Sequence, residues 1–600
     1  MTSNNERDFF LVLHAINLCA LPTATLILFV LILLYYWGTR KPKGYPPGPK
    51  WYPVLGSALE VARLRKETGY FSEACNILSK KYGSIIGLKI GIDSIIILND
   101  YESMKAMIMN ENCDGRPIGP VYDSRTFGKR RGLLVVDGHL WVEQRRFILR
   151  HLRDFGFGRT NMAVQIEFEA TQLVNYYDQL IRDKASDVAS DKPSVNSITN
   201  NNNYNNNNNI DTHVTKRKNG QIYQLANEDD DMGKKEQTVL EERPVKKSPT
   251  AEDFYMKVDD DLEIREAAAK VPGVVVEMED FFGVPVLNTL WCMMAGKRYN
   301  IDDKELIYLQ KIFTTLLRDV DMVGCLFNHF PFLKYVAPEM SGYNKFMETH
   351  QQLWKFLKDE LENHKKTFDP ATPRDLMDVY LQALQSENHD DTFSEAQLLA
   401  ICVDLFMAGS ETSSKALCFG FLFLVLNPQV QKKAQQEIDS VIGRERLPSL
   451  NDRPRLTYIN AVVLESLRMF MGRTMNIPHR ALKDTYIMGH KIPKDSMLVV
   501  NFNRILMGEF WVDPEEFRPE RFIDESGKLV MPDQYLPFSF GKHRCMGEVL
   551  AKSNMFMITA ALLQNFTFSP VPGEEPPRNE YTDGVTASPK PFRVLMTRRT

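Results

Sequence analysis

No two of the eight cysteines form a C-x-x-C pair; they lie scattered at Cys19, Cys75, Cys113, Cys292, Cys325, Cys402, Cys418 and Cys545. That spacing excludes a small zinc site and argues against a disulfide framework, and it assigns the bulk of the chain to a reducing compartment. Taken singly, each cysteine reads as a small buried hydrophobe. A basic stripe is also missing. Acidic and basic residues are interspersed and the net charge is -4, so a nucleic-acid partner is not expected. Nor does a G-x-G-x-x-G fingerprint with its downstream acid mark a dinucleotide-binding domain. What the 600 residues do hold, 44% apolar and 25% charged, suits one large domain with a core and some appendages.

A further absence marks the N-terminus. Between Asp8 and Arg40 there is no Asp, Glu, Lys or Arg, and Leu18–Trp37 is almost wholly apolar. As a helix this run would span about 30 Å, the thickness of a hydrocarbon core. It is longer than the apolar part of a cleavable signal peptide. It ends in the interfacial aromatics Tyr35, Tyr36 and Trp37, followed by Arg40, Lys41 and Lys43. The expectation is a short tail over 1–17 and a retained transmembrane anchor over 18–37, with the rest of the chain cytosolic. Residues 38–56, with Tyr45-Pro46-Pro47-Gly48-Pro49, read as a basic, Pro-rich hinge. Residues 183–261 differ from everything around them: nine asparagines fall between Asn200 and Asn209. So polar a stretch buries too little apolar surface to offset the entropy of ordering, and it reads as a disordered insertion without an assigned role.

The folded domain then comprises 57–182 and 262–600. Ile85–Ile90 and Ser94–Leu98 read as short strands around a turn. Helical periodicity marks Trp141–Leu152 and Val164–Leu180. After the insertion it marks Leu306–Leu317, Tyr343–His364, Arg374–Gln385, Glu395–Leu426, Val430–Ile442 and Tyr458–Phe470, with a last long helix from near Gly547. Short strands and turns fill Ile477–Val500. The fold class is mainly α with a minor β region.

One cysteine stands apart. Pro537-Phe538-Ser539-Phe540-Gly541-Lys542-His543-Arg544-Cys545-Met546-Gly547 is a Gly-rich turn that presents Cys545 at the start of an apolar helix. Lys542, Arg544 and the helix N-terminus favour a thiolate, the form in which sulfur binds iron. Elsewhere, Trp141 and Arg145 stand four apart on one helix, and both are pure donors suited to a carboxylate. Glu465 and Arg468 share a helix face. Within an apolar helix, Gly409, Ser410, Glu411 and Thr412 form a polar interruption whose local preference is a distorted turn.

Together these segments resemble the cytochrome P450 family, in the family's own order. Phe538, Gly541, Cys545 and Gly547 match its haem loop F-x-x-G-x-R-x-C-x-G, which here carries His543 where arginine is usual. Ala408–Ser413 matches A-G-x-[DE]-T-[TS], Trp141 and Arg145 match W-x-x-x-R, and Glu465, Arg468 and Pro519-Glu520-Arg521-Phe522 match E-x-x-R and P-E-R-F. The resemblance implies a cytochrome P450 fold preceded by the single anchor, and haem b held by Cys545 as the axial ligand to iron. It implies haem-propionate contacts from Trp141, Arg145, His479 and His543, with Phe538 also at the cofactor. Thr412 and Glu411 would deliver protons during oxygen activation, and Glu465, Arg468 and Arg521 would form a structural ionic network.

The implied reaction is oxygenation of a small lipophilic substrate with dioxygen. Electrons would come from NADPH through a separate NADPH-cytochrome P450 reductase, with cytochrome b5 as an auxiliary donor. Arg146, Lys432, Lys433, Lys542 and Arg544 are candidate docking cations. The resemblance implies a single-pass protein of the endoplasmic reticulum membrane. An oxygen-independent isomerase or dehydratase of the same fold is the first rival, against which the Glu411–Thr412 pair speaks. A non-catalytic tethered binding protein is the second, and NADPH consumption would separate it. The stretch Gly541–Glu548 is similar to that of insect microsomal members with developmental roles, which favours a sterol, an ecdysteroid or another endogenous lipid. Segments around Cys113–Val135, Cys402–Glu411, Arg473–Ile477 and Val585–Thr586 are expected to line the pocket.

Overall fold

The structure, a computed structural model, describes residues 35, 38–158, 160–189, 273–320, 323–387 and 389–599. Of these, the residues up to 184 and from 273 onward form one compact unit, and 185–189 fall in a second. The expected anchor falls, save for Tyr35, outside the described residues. Among the described residues, no single helix is long and apolar enough to cross a membrane.

The chain opens with helices α1 (Ala58–Thr68) and α2 (Phe71–Tyr82), strands β1 (Ile85–Ile90) and β2 (Asp93–Leu98), then α3 (Tyr101–Ile108), α4 (Pro120–Ser124), α5 (Gly138–Asp154) and α6 (Thr160–Ala189). Strand β3 (Gly273–Glu277) leads into α7 (Gly283–Ala295), α8 (Lys304–Asp319), the short α9 (Leu326–His329) and α10 (Leu333–Val336), α11 (Tyr343–Lys366) and α12 (Leu376–Gln385). Helices α13 (Glu395–Leu426), α14 (Pro428–Val441) and α15 (Thr457–Met471) follow. Four short strands come next: β4 (His479–Arg480), β5 (Thr485–Ile487), β6 (His490–Ile492) and β7 (Met497–Val500). After α16 (Phe502–Leu506) and α17 (Glu548–Asn565) the chain ends in β8 (Phe566–Ser569), β9 (Tyr581–Thr582), β10 (Ser588–Pro589) and β11 (Arg593–Arg598).

The mainly helical expectation holds. One sheet has the order β1-β2-β7-β4, antiparallel except for the parallel pair β2–β7. A second, β3-β11-β8, is antiparallel throughout. The helical core centres on α13, whose apolar residues are buried nearly all round, as expected of a helix enclosed by others. Ser394 starts it by accepting the N–H of Gln397 at 3.1 Å.

Three expectations need adjusting. Helix α6 runs on to Ala189, past the expected start of the insertion at Asp183. Helix α12 starts at Leu376, because the Asp375 side chain caps it by accepting from the Asp378 N–H. And α13 is unbroken through Gly409–Thr412: Ser410 and Thr412 return their hydroxyls to the carbonyls of Phe406 (2.7 Å) and Ala408 (2.8 Å), without displacing the ladder. Gly409 serves packing instead, since a Cβ there would lie 2.3 Å from Leu290 Cδ2 on α7.

Candidate active site

The turn before α17 is fixed by backbone. Ser539 (φ 58°) and Gly541 (φ 74°) are both left-handed, and a Cβ on Gly541 would come within 2.7 Å of Ile108 Cγ2. The Arg544 N–H donates to Gly541 O at 3.2 Å and the Cys545 N–H to Phe538 O at 3.0 Å, which folds the loop over. Gly547 then caps α17, and Cys545 is left exposed on the wall of a cavity.

Although the thiol opens on that cavity, enough protein surrounds it for burial to push its pKa up. The Gly547 N–H, Arg145 and Arg544 pull it down by less, and Glu548 adds to the rise. The expected pull from neighbouring cations is weak for a visible reason. Lys542 Nζ sits 2.8 Å from Asp114 and Arg544 Nε 3.0 Å from Glu548, so both cations are already paired. A metal held by this sulfur would supply the deprotonation that the neighbouring cations do not.

The cavity is about 430 Å³ and mostly apolar. Cys545, Phe538, Met546 and Ala551 form part of its wall, and Met407, Ala408, Gly409 and Thr412 of α13 form another. All four segments expected to line a pocket contribute to it. Leu290 on α7, Leu316 and Leu317 on α8, and Phe346 and His350 on α11 line it too; nothing local in their sequences announces that role.

Five polar side chains gather at one edge: Trp141, Arg145, His479 and His543, which the sequence nominates, and Arg116, which it does not. The Trp141 and His543 rings lie 4.4 Å apart, those of His479 and His543 5.1 Å, and the Arg145 guanidinium 5.3 Å from the Trp141 ring. His543 Nε2 is 3.0 Å from Asp114 O and His479 Nδ1 2.9 Å from Cys113 O. A carbonyl only accepts, so those nitrogens carry the protons and each ring's other nitrogen is an acceptor. Burial, then Arg116, pushes both imidazoles down, His543 to about 3, so both are neutral.

His479 and His543, expected at the propionates, spend their N–H groups on these carbonyls, so the donors left for an anion are the Trp141 indole N–H and the guanidinium groups. Arg145 spends Nη2 on Arg544 O at 2.9 Å. Arg116 is buried, spends Nη1 on the carbonyls of Ile477 (3.1 Å) and Pro478 (3.0 Å), and keeps an unpartnered Nε. Burial, with Arg145 nearby, brings Arg116 down to about 10. Its one sequence signal is its place, with Arg125, Arg130 and Arg131, inside an expected pocket-lining segment. An open thiol with two guanidiniums at the rim suits an iron porphyrin bearing two carboxylates, so the residues fit that group.

Glu411 is buried and accepts from Thr314 Oγ1 on α8 at 2.9 Å. Burial raises its pKa; Lys415, Thr314 and Arg318 lower it and Asp280 raises it further. Thr412 stays at the cavity. The Glu465–Arg468 pair is fully buried, at 2.7 Å, and Arg521 Nε reaches Glu465 at 3.0 Å. Arg468 also donates to Leu506 O and Pro514 O, each at 2.8 Å, tying α15 to the segment before the P-E-R-F turn.

The family model described as Cytochrome P450 matches residues 46–204 and 177–596. The chain belongs to the cytochrome P450 family. It is 39% identical over 577 residues to "Probable cytochrome P450 303a1" of Drosophila melanogaster, covering 95% of this chain and 97% of that one. Identity is 31% with "Farnesoate epoxidase" of Bombyx mori (96% and 98% covered) and 29% with "Cytochrome P450 2J1" of Oryctolagus cuniculus (94% and 93% covered). As a P450, the chain is a haem-binding monooxygenase, an oxidoreductase.

Proposed function

We propose that this P450 oxygenates a small endogenous lipid, with Cys545 as the thiolate ligand to haem iron. The observation that carries this is the single exposed sulfur of the Phe538–Gly547 turn opening on an apolar cavity that Thr412 also lines. When bound, the haem supplies the activation of dioxygen. Arg116 and Arg145 would hold its carboxylates, while Trp141, its ring tilted against that of His543, shapes that edge. His479 and His543, neutral and bonded to backbone, position the arginines' surroundings. Phe538, whose carbonyl accepts the Cys545 N–H, closes the loop that would hold the cofactor, and Glu465, Arg468 and Arg521 brace helix α15. Thr412 presents a hydroxyl to the cavity, and Glu411, holding its proton above the usual carboxylate range, is the nearby proton store.

The substrate reading is supported by the apolar walls and by the Bombyx relative, whose name gives farnesoate as what it acts on. A sterol, an ecdysteroid or another lipid signal fits the same walls. Electrons come from NADPH through a separate reductase, with cytochrome b5 assisting; Arg146, Lys542 and Arg544, all exposed, are candidates for its docking cations. Endoplasmic reticulum membrane association draws support from exposed Phe332, Tyr335, Val336 and Met340. Exposed Ile92 lies close to them in the fold, its N–H bonded to His329 O at 3.0 Å. The deciding experiment is the carbon monoxide complex of the reduced protein. It should show the red-shifted Soret band of a thiolate haem, and Cys545→Ser should abolish it; a variant that kept the band would remove Cys545 from the role.

A further inference from the structure

One stretch of the cavity wall is polar, and nothing in the oxygenation chemistry accounts for it. It is made by Arg125, which follows α4, by Asp404 on α13 and by His350 on α11. Asp404 lies about 12 Å along the helix axis from Thr412, at 1.5 Å rise per residue.

The charges there cancel. Arg125 Nη2 donates to Asp404 Oδ1, and Asp404 Oδ2 also accepts the N–H groups of Leu133 (2.5 Å) and Leu134 (2.9 Å). The carboxylate thus takes three donors, while the guanidinium keeps one free: Arg125 is 6% exposed and its Nη1 has no partner among the described residues. A buried donor left unpaired is costly, and a bound acceptor removes that cost. His350 is the complement. Its Nδ1 lies 2.8 Å from Phe346 O, so Nδ1 carries the proton and Nε2 is an acceptor, with no partner among the described residues. Burial, opposed by the Phe346 carbonyl and helped by Arg125, pushes His350 down to about 4, so the ring is neutral. This wall offers one donor and one acceptor and carries no net charge.

We infer that Arg125 and His350 form a subsite for an uncharged hydroxyl group on the lipophilic substrate, which accepts from Arg125 Nη1 and donates to His350 Nε2. An ether or ester oxygen could satisfy only the arginine. A carboxylate would bring a second negative charge beside Asp404 and set a lone pair against Nε2. The inference rests on the monooxygenase reading above and deepens it by naming the substrate class: a hydroxylated, uncharged lipid.

The test uses the full-length holoenzyme and three probes with one skeleton, farnesol, farnesyl methyl ether and farnesoate, each titrated by the substrate-induced spin shift. Farnesol should bind at least about tenfold tighter than the ether, with farnesoate weakest, because a site built for a hydroxyl rejects analogues that lack it. His350→Phe keeps a ring against Phe346 and should bring alcohol and ether within about twofold of each other. Arg125→Lys, which keeps the charge opposite Asp404, is a second arm and should weaken both probes. Wild-type protein that shows the thiolate band but gives no farnesol shift, equal affinities, or a preference for farnesoate overturns the subsite and leaves the family reading intact. Wild-type protein without the band overturns the reading on which the subsite rests.

Discussion

Thr314 donates its hydroxyl to Glu411 across 2.9 Å, and so ties the acid of the oxygen-motif segment on α13 to a residue on α8. Thr412, next in sequence, gives its hydroxyl to Ala408 O at 2.8 Å, beside the cavity. The acid and the alcohol that sit together in the sequence thus have different partners. Both line the cavity, but Glu411 is flanked by a buried group that includes Lys415, Asp280 and Arg318, whereas the Thr412 hydroxyl bonds only within its own helix.

That division makes Thr412 separable from cofactor binding. Thr412→Ala should keep the thiolate band and the substrate-induced spin shift. NADPH oxidation should become uncoupled, with product per NADPH falling by about tenfold or more and hydrogen peroxide rising to match. Product and peroxide per NADPH, measured with reductase, check it; an unchanged ratio takes Thr412 out of proton delivery and revives the oxygen-independent alternative.

Thr314→Val tests the other half. The Thr314 hydroxyl stabilises the Glu411 carboxylate, so losing it raises a pKa that burial already holds high. Any limb of the rate profile that reports loss of the Glu411 proton should move to higher pH in the variant. Glu411→Gln should abolish that limb. Steady-state rates from pH 6 to 9 decide it, and superimposable profiles for all three proteins would detach Glu411 from the reaction.

How much of this was readable beforehand depended on how local the signal was. The ends of α13 were legible to the residue because a capping serine precedes a long apolar run that Pro428 stops. The haem turn was legible because glycines, cations and cysteine fall within one short stretch. Helix α7 was not: it is apolar on every side, so its sequence has no 3.6-residue rhythm to read. Strand β3 was missed because its partner, β11, lies at the far end of the chain, and five residues alone carry no pairing signal. Arg116, Thr314 and His350 escaped for a related reason. Each acquires its role from a neighbour on a different element, and a single sequence does not display such neighbours.

The ionic network behind the cavity should be structural. Glu465 and Arg468 are both 0% exposed, so removing one charge strands the other away from water. Glu465→Gln preserves shape but leaves Arg468 and Arg521 without their carboxylate, and should cost about 3–5 kcal/mol. Arg468→Lys keeps the charge yet cannot reach Glu465, Leu506 O and Pro514 O together, so it should rescue little. Haem content per protein and urea midpoints are the measurements. Wild-type values for Glu465→Gln would show that the network does not brace this helix.

A pH dependence of stability should come from a place remote from the haem. His364 Nε2 on α11 lies 2.7 Å from Asp375, the residue that caps α12. Burial lowers the imidazole pKa, but the hydrogen bond and the charge of Asp375 outweigh it and the result is raised. Asp378, which lies close by, does not compete, since Arg374 holds it from Nε at 2.6 Å. The sign follows from proton binding: the folded state keeps a proton on His364 at a pH where the unfolded chain has lost it. The stabilisation is therefore complete below the unfolded value of about 6.5. It fades as pH rises through the folded one. Midpoints of urea unfolding between pH 5.5 and 9 should fall with pH in the wild type. His364→Gln keeps a hydrogen bond to Asp375 but cannot titrate, so its midpoints should fall less over that range, and the two proteins should differ most at the acid end. Equal slopes would show that the His364–Asp375 contact contributes nothing to the pH dependence of folding.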